Sequence, residues 1–388
     1  MLLAKNHPLG RLGLAWQLSE YHGWGVFGLN VARTLVSQNY QPAKLLQAPN
    51  IDFSKYPELA STKTEWLENE AAFAALTAKL HHPGVTVIHS LGNDFVFTNK
   101  QHWGDRNIGF IFFETTLFSS EGLARANTLD LILTGSRWNA QILSNMGLQN
   151  VAYVMQGVDL TRFDSAQPKS NSGPFVIYSG GKLEFRKGQD IVLEAFKVFH
   201  QKHPDSLLLT SWHNPWPHIT QDLISSPYGF GAPTISNHQV DIAEWCARSG
   251  LPSSAFKHIG PTPNERMAQV YRQADIGLFP NRAEGGTNLV AMEVMAAGVP
   301  CILSENTGHL DLITGTNCYS LKQQTRYSNA SHQGWGQSSI EEIVATLEHA
   351  YHHRDERIAI GKQGRAFIEQ FTWANQTRQL IELCSNIY

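Results

Sequence analysis

Residues 275–313 read DIGLFPNRAEGGTNLVAMEVMAAGVPCILSENTGHLDLI. DIGLFP has the length and composition of a short buried strand. Thr287 or Asn288 can cap a helix through LVAMEVMAA, and Gly298 and Pro300 end it before the next strand, CILS. Strand, loop, helix and strand in that order predict a parallel α/β sheet. They also set Glu284, Gly285, Gly286 and Thr287 at a helix N-terminus beyond the carboxyl end of a strand. Successive backbone N–H groups and the helix dipole favour an anion such as a diphosphate at that place.

Glu293 lies little more than one turn inside this helix. LVAM before it and VMAAG after it leave little polar face, so a solvated helix position is the weaker reading. A carboxylate held there can accept two hydrogen bonds from a vicinal diol such as ribose. A second segment, SGGKLEFRKGQDIVLEAF (179–196), carries cations at a comparable place. A strand ends in Gly180 and Gly181, then come Lys182, Arg186 and Lys187, then a helix; these charges could neutralise a departing diphosphate.

The same β-α alternation extends outward from both segments. LGLAWQL (12–18), AKLLQA (43–48), GVTVIHSLG (84–92), NIGFIFFE (107–114) and LDLILTG (129–135) read as strands, and VFGLNVARTLVSQ and EWLENEAAFAALTAKL (65–80) as helices. The stretch DSAQPKSNSGP (164–174) has linker composition, after which the rhythm restarts with PFVIYSGG, DIVLEAFKVFHQ and SLLLTSW. Residues 214–239 and 323–339 are too polar or too rich in Pro and Gly for clear elements and read as mobile surface loops, with acceptor-gating elements as the alternative. The tail from Ser339 reads as two or three helices.

At 388 residues the chain exceeds what one core usually organises. Hydrophobic residues at 42% and charged residues at 16% describe a globular protein. A net charge of -3 argues against a nucleic-acid partner. Cys246, Cys301, Cys318 and Cys384 form no C-x-x-C pair, which suits buried thiols in a reducing compartment. No signal-peptide pattern opens the chain and no apolar run reaches membrane-spanning length, so a cytoplasmic location is expected.

YHGWGVFGLN (21–30) contains a G-x-G-x-x-G. Such a turn suits NAD or any other phosphorylated ligand, or serves as a structural tight turn. A dehydrogenase needs an acidic ribose partner at the end of the second strand. That strand ends in QAPN, and Asp52 lies beyond Pro49.

Taken together, GWGVFGLNVARTL, LTGSRWNAQIL with VMQGVDLTRF, GGKLEFRKGQDIVLEAF, HIGPTPNERMAQVYRQADIGLFPNRAEGGTNLVAMEVMAAGVPCI and a late FTW resemble the GT-B nucleotide-sugar glycosyltransferases. Specifically, the chain resembles glycosyltransferase family four, the retaining group, over nearly its whole length. The resemblance implies two Rossmann-like doubly wound parallel-sheet domains facing a central cleft. The expected domains are 1–165, joined by the C-terminal helix at about 371–388, and 166–370. The implied activity moves a hexose-like sugar from a nucleotide-diphosphate sugar to a glycan, lipid-linked or small-molecule acceptor hydroxyl with retention. No cofactor is implied, and the lack of any D-x-D suits a metal-independent enzyme. A peripheral membrane contact is left open.

By the same resemblance Lys182, where the family commonly has arginine, with Gly181, Arg186 and Lys187, would bind the donor diphosphate. Glu293 would hold the ribose, Ile259 and Gly260 would border the base, and Glu284 with the backbone of Gly285, Gly286, Thr287, Asn288 and Leu289 would address donor sugar and phosphates. Gly23, Trp24 and Gly25 would close on the diphosphate, and Asn93 and Arg137 would lie on the acceptor side. Two departures stand out. Glu284 and Glu293 enclose eight residues where the family has seven, and Glu114 stands near the place of a frequent histidine. His89 is a further catalytic candidate or a hydrogen-bonded strand-end histidine, Glu114 a cleft carboxylate, and Arg137 a phosphate contact or a structural ion-pair member. A GT-B-like epimerase and a non-catalytic nucleotide-sugar-binding protein are the alternatives.

Overall fold

The structure, a computed structural model, describes residues 10–164, 169 and 173–387. Its contacts divide the chain into two compact units, 1–157 with 371–388, and 158–370.

In the first unit the strands are β1 (Arg11–Leu14), β2 (Lys44–Leu45), β3 (Leu80–Gly92), β4 (Val96–Phe97), β5 (His102–Ile111), β6 (Leu131–Thr134) and β7 (Val151–Tyr153). They form one sheet in the order β2-β1-β3-β5-β6-β7, parallel throughout, with β4 turning back antiparallel onto β3. Val87, Ile88, Ile108, Phe110, Ile132 and Leu133 are fully enclosed, as a parallel sheet covered on both faces requires. Helices α1 (Gly23–Ser37), α2 (Ala60–Ala74), α3 (Ser120–Ala126) and α4 (Arg137–Asn145) alternate with the strands.

Three sequence expectations shift in this unit. The first strand stops at Leu14 instead of Leu18. The helix expected at 65–80 runs from Ala60 to Ala74, because Leu80 to His82 pair with His102 to Gly104 and the sheet overrides the helix-forming composition. The G-x-G-x-x-G is not a loop ahead of a helix, because α1 begins at Gly23 with His22 as its cap, Gly25 N donating to His22 Nδ1 at 3.1 Å. A Cβ on Gly25 would lie 2.3 Å from Ser19 Cβ, so this glycine lets the first turn press onto the strand-to-helix loop.

In the second unit the strands are β8 (Phe175–Gly181), β9 (Ser206–Trp212), β10 (Ile235–Ser236), β11 (Gln239–Val240), β12 (Phe256–His258), β13 (Ile276–Phe279), β14 (Cys301–Ser304), β15 (Tyr319–Leu321), β16 (Gln324–Arg326) and β17 (Gly336–Ser338). The main sheet is parallel in the order β12-β9-β8-β13-β14-β15, while β10-β11 and β16-β17 are separate hairpins. Helices α5 (Gln189–Lys202), α6 (Ile242–Arg248), α7 (Met267–Tyr271), α8 (Leu289–Ala296), α9 (Ile340–His352) and α10 (Arg354–Ile368) accompany them. The final helix, α11 (Trp373–Ser385), belongs to the first unit.

Ile177, Leu208, Ile276 and Ile302 from the sheet meet Phe196 and Phe199 of α5 and Leu347 of α9 in one core. The polar segment 214–239 is tied into it, since Leu223 and Phe230 are core residues and Trp245 Nε1 donates to Gly231 O at 2.9 Å. The segment is thus not wholly a surface loop. Segment 323–339 is likewise ordered as the β16-β17 hairpin. All four cysteines are free and buried.

Candidate active site

In the main sheet of the second unit the chain starts at β8, builds outward through β9 and β12, then crosses back to β13. The strand order reverses between β8 and β13, and ligands of open α/β sheets lodge at the carboxyl ends of strands beside such a reversal. The loops leaving these two strands hold most of the residues singled out in this half of the sequence.

These loops are locked together. After β8 the chain forms a short 3-10 turn, Phe185–Lys187, closed by Gly188 at φ 71. A Cβ on Gly188 would sit 2.4 Å from Pro280 O, so only glycine lets the turn press against the exit of β13. Arg282 N donates to Arg186 O at 2.7 Å, and the Arg282 guanidinium reaches Phe185 O and both carboxylate oxygens of Asp190.

Lys187 Nζ lies 2.5 Å from Glu284 Oε1, and Arg186 reaches Glu284 at 3.5 Å and Glu184 at 2.6 Å. Lys182 Nζ, the more exposed cation, lies 2.8 Å from Glu184 and 5.4 Å from the Trp216 ring centroid. Three cations thus face Glu184 and Glu284, and Asp222, raised by burial to about 6, stands beside them as a third carboxylate, accepting from Phe185 N at 3.1 Å. Burial pushes the Glu184 carboxyl up, but Arg186 and Lys182 outweigh it and hold the group at about 2. Burial likewise raises Glu284, and Lys187 with Arg186 reverses the shift, so Glu284 is ionised. Lys187 is depressed by desolvation, which Glu284 partly offsets.

Asn288 caps α8, its side chain accepting from Ala291 N, at a left-handed φ of 65. That step takes the loop from Glu284 into the helix. The Asn288 amide nitrogen then donates to His309 Nε2 at 3.0 Å, so His309 carries its proton on Nδ1 and donates it to Ser304 Oγ, also at 3.0 Å. Ser304 passes the chain on to Asn281 O at 2.7 Å. Burial pushes His309 down to about 4, which keeps it neutral at pH 7. Beside it Glu284 N donates to Thr307 Oγ1 and Gly308 N donates to Glu284 O. Asn306 to His309 went unmarked in the sequence, although NTGH directly after a strand beside the glycine loop was the available signal.

Glu293 is 4% exposed and takes hydrogen bonds from Asn264 Nδ2 at 2.6 Å and Tyr271 OH at 2.8 Å. Arg162 in turn donates to Asn264 Oδ1 at 2.6 Å. Two partners leave part of the carboxylate's acceptor capacity for a diol. Burial raises its pKa to about 7 against the lowering effect of those two bonds. Gly181, at φ 119, has open space where a Cβ would stand. Ile259 and Gly260 follow β12, half-buried and exposed respectively, with Ile259 N bound to Thr210 O at 2.7 Å. Gly285, Gly286 and Thr287 are buried, and Leu289 is half-buried.

The first unit holds the remaining candidates. Gly23 is exposed with nothing near its Cβ position, while Trp24 packs edge-on to Trp16, Phe110 and Phe112. Asn93 is exposed on the turn after β3, and Arg137 opens α4 with Nε donating to Tyr153 OH at 3.1 Å. Glu114 does not end a strand as expected, because β5 stops at Ile111; the carboxylate is half-buried in the loop beyond. His89 is 1% exposed, with Nε2 3.2 Å from Asn107 Oδ1 and its ring against Phe97 and Trp103. Burial lowers its pKa to about 4, so it stays neutral, and a role toward a ligand would require that aromatic cage to open.

Among the described residues, His203, Glu348 and His352 bring three possible metal-ligand atoms within 4.8 Å of one another, near the start of β9 and not at these loops. No helix among the described residues is long and apolar enough to cross a membrane.

The family model described as Family 4 Glycosyltransferase in conflict systems matches residues 139–380. A D-inositol 3-phosphate glycosyltransferase of Corynebacterium kroppenstedtii is 24% identical over 246 residues, 61% of this chain and 48% of that protein. A glycogen synthase of Mycobacterium tuberculosis is 24% identical over 194 residues, 48% of this chain and 41% of that protein. The chain therefore spans about half the length of the curated relatives it matches. In fold it is similar to the sucrose-phosphate synthase of Thermosynechococcus elongatus, with a TM-score of 0.63 at 14% identity over 96% of this chain and 98% of that one. It is also similar to Anabaena Alr3699/HepE in complex with UDP and glucose, with a TM-score of 0.61 at 14% identity over 97% and 100% of the two chains. The two parallel α/β units are those of the GT-B fold. With its match extending over more than half of the sequence, the chain belongs to the family 4 glycosyltransferases.

Proposed function

We propose that this chain transfers a hexose-like sugar from a nucleotide-diphosphate sugar to an acceptor hydroxyl, retaining the anomeric configuration and using no metal. The observation that carries this reading is the Lys187–Glu284 pair, which joins the loops of β8 and β13 beside the N-terminus of α8. A diphosphate laid over these loops meets Lys182, Arg186 and Lys187 together with the amides of Gly285 to Asn288. These groups offer fixed positive charge where charge develops on the leaving group. Glu293 takes the ribose hydroxyls, and Ile259 and Gly260 border the base.

With the leaving diphosphate so held, the acceptor oxygen attacks on the face from which it departs, and a phosphate oxygen takes the proton. The protein's part is orientation and charge stabilisation. Asn93, Arg137 and Glu114 of the first unit are proposed for the acceptor side, and Gly23 to Gly25 for diphosphate contact; His89, closed in by Phe97 and Trp103, joins the acceptor side only if that cage opens. The UDP complex of the similar Anabaena protein makes UDP-sugars the first donors to try.

The test is a thermal-shift screen with UDP-, GDP- and ADP-sugars, followed by transfer assays. Glu293→Ala and Lys187→Ala should each reduce transfer by roughly ten- to a hundredfold, the effect of losing about 1.5 to 3 kcal/mol of charge-assisted hydrogen bonding. Undiminished transfer in both folded variants would remove the reading.

A further inference from the structure

At the amino edge of the same sheet, opposite the donor loops, a cleft of about 460 Å³ lies between the starts of β13 and β14 and the helix α10. Among the described residues six cations line it, Lys169, Arg272, Arg354, Arg357, Lys362 and Arg365, with Asp275 as the one lining carboxylate. Three of the six have structural work. Lys169 pairs with Asp275 at 2.6 Å, Arg357 reaches Asp275 at 3.4 Å and donates to Ala350 O, and Arg365 donates to Ala296 O at the end of α8 and reaches Glu369 at 3.3 Å.

Arg272 and Lys362 are exposed and pair with no carboxylate among the described residues, and Arg354 contributes one bond, to Lys169 O at 3.3 Å. Even with Glu369 included, cations outnumber carboxylates by six to two, in a chain whose net charge is -3. A surplus of that size, gathered in one concavity of ligand dimensions, raises the local concentration of anions. Arg357, 6% exposed, gives the cleft a fixed floor, since its guanidinium donates to Ala350 O, reaches Asp275 and lies 4.9 Å from the Phe175 ring centroid.

We propose that this cleft is a second anion site, separate from the donor loops, that binds a compact polyphosphate-bearing ligand. Arg272, Arg354 and Lys362 contact its phosphates, and Arg357 and Arg365 fix the walls. The compact choice follows from charge distribution. An extended nucleic acid would need further basic surface, and the rest of the chain carries a negative excess.

Calorimetric titration with inorganic tripolyphosphate tests this, using the full chain, a Lys182→Ala variant and an Arg272→Glu/Lys362→Glu variant. Binding should survive Lys182→Ala, weaken at least tenfold in the double variant, and fall as salt is raised. Should the double variant fail to match the native circular dichroism spectrum, Arg272→Gln/Lys362→Gln takes its place with the same expected direction. Unchanged binding in the folded double variant overturns the proposal, as does its loss in Lys182→Ala alone. A single-stranded oligonucleotide binding more than tenfold tighter than tripolyphosphate would replace it with a nucleic-acid site. Sugar transfer is measured separately, so failure of this site leaves the donor-site reading untouched.

Discussion

Arg282 lays its two terminal nitrogens on the two carboxylate oxygens of Asp190, each at 2.7 Å, and neither side chain is exposed. The same guanidinium donates to Phe185 O and stacks on the Phe185 ring at 3.8 Å. One buried ion pair therefore holds the turn that presents Arg186 and Lys187.

Removing one partner leaves the other charge buried and unmatched. Asp190→Asn should lower stability by about 3 to 5 kcal/mol, read by urea unfolding, the usual cost of breaking a buried pair from one side. Arg282→Lys should also destabilise, because a point charge cannot reproduce the fork. Wild-type stability in both variants would show that the turn is held by other contacts.

Glu293 titrates at about 7 in the fold against 4.5 for an unperturbed side chain. Between those values the folded state binds more protons than the unfolded state, so its contribution is complete below about pH 4.5 and is lost as pH rises through 7. Glu293→Gln lacks this dependence. Relative to the variant, wild-type stability should fall by roughly 3 kcal/mol between about pH 5 and pH 8, because each tenfold difference in proton affinity between the two states is worth about 1.36 kcal/mol. On the proposed role of Glu293, ribose hydroxyls donate to the ionised form, so donor affinity should rise over the same window. A pH-independent difference between the two proteins would contradict the assignment.

The environment of Glu293 shows where sequence reading succeeds and where it stops. Its burial was legible, because apolar neighbours on both sides left no polar face. Its partners were not, for Asn264 and Tyr271 stand 29 and 22 residues away and carry no local signature. The buried strands were legible as apolar runs, but their ends moved wherever pairing with a neighbouring strand decided them, as at Leu80. Lys182, Arg186 and Lys187 were marked by their spacing from two glycines, whereas Glu184, which engages two of them, passed unnoticed inside the same motif. At Gly23 to Gly28 the glycine spacing was visible, yet its placement within α1 depended on contacts with Ser19 and Trp16 that only folding supplies.

Gly308 tests the support beneath the proposed donor loop. A Cβ there would lie 1.7 Å from Gly286 O and 2.8 Å from Glu284 O, both backbone atoms that cannot swing aside. Gly308→Ala should therefore displace the 284–287 loop, cost about 1 to 3 kcal/mol by overpacking, and reduce transfer more than its stability loss explains. Full transfer in this variant would show that the loop tolerates the change.

Gly23 separates the structural from the functional use of the first glycine motif. Unlike Gly25, it meets no atom of the described residues within 4 Å of its Cβ position beyond its own chain neighbours and helix backbone, and it sits in the first turn of α1, so packing there gives no reason for glycine. Alanine there should leave stability unchanged or raise it by up to about 1 kcal/mol through helix propensity. If the backbone at this turn approaches a donor phosphate closely, the same methyl group should weaken donor binding and transfer. Gly23→Ala with raised stability and full transfer would assign the motif wholly to packing, whereas raised stability with reduced transfer points to a ligand at Gly23, because among the described residues no side chain or distant backbone meets that methyl group.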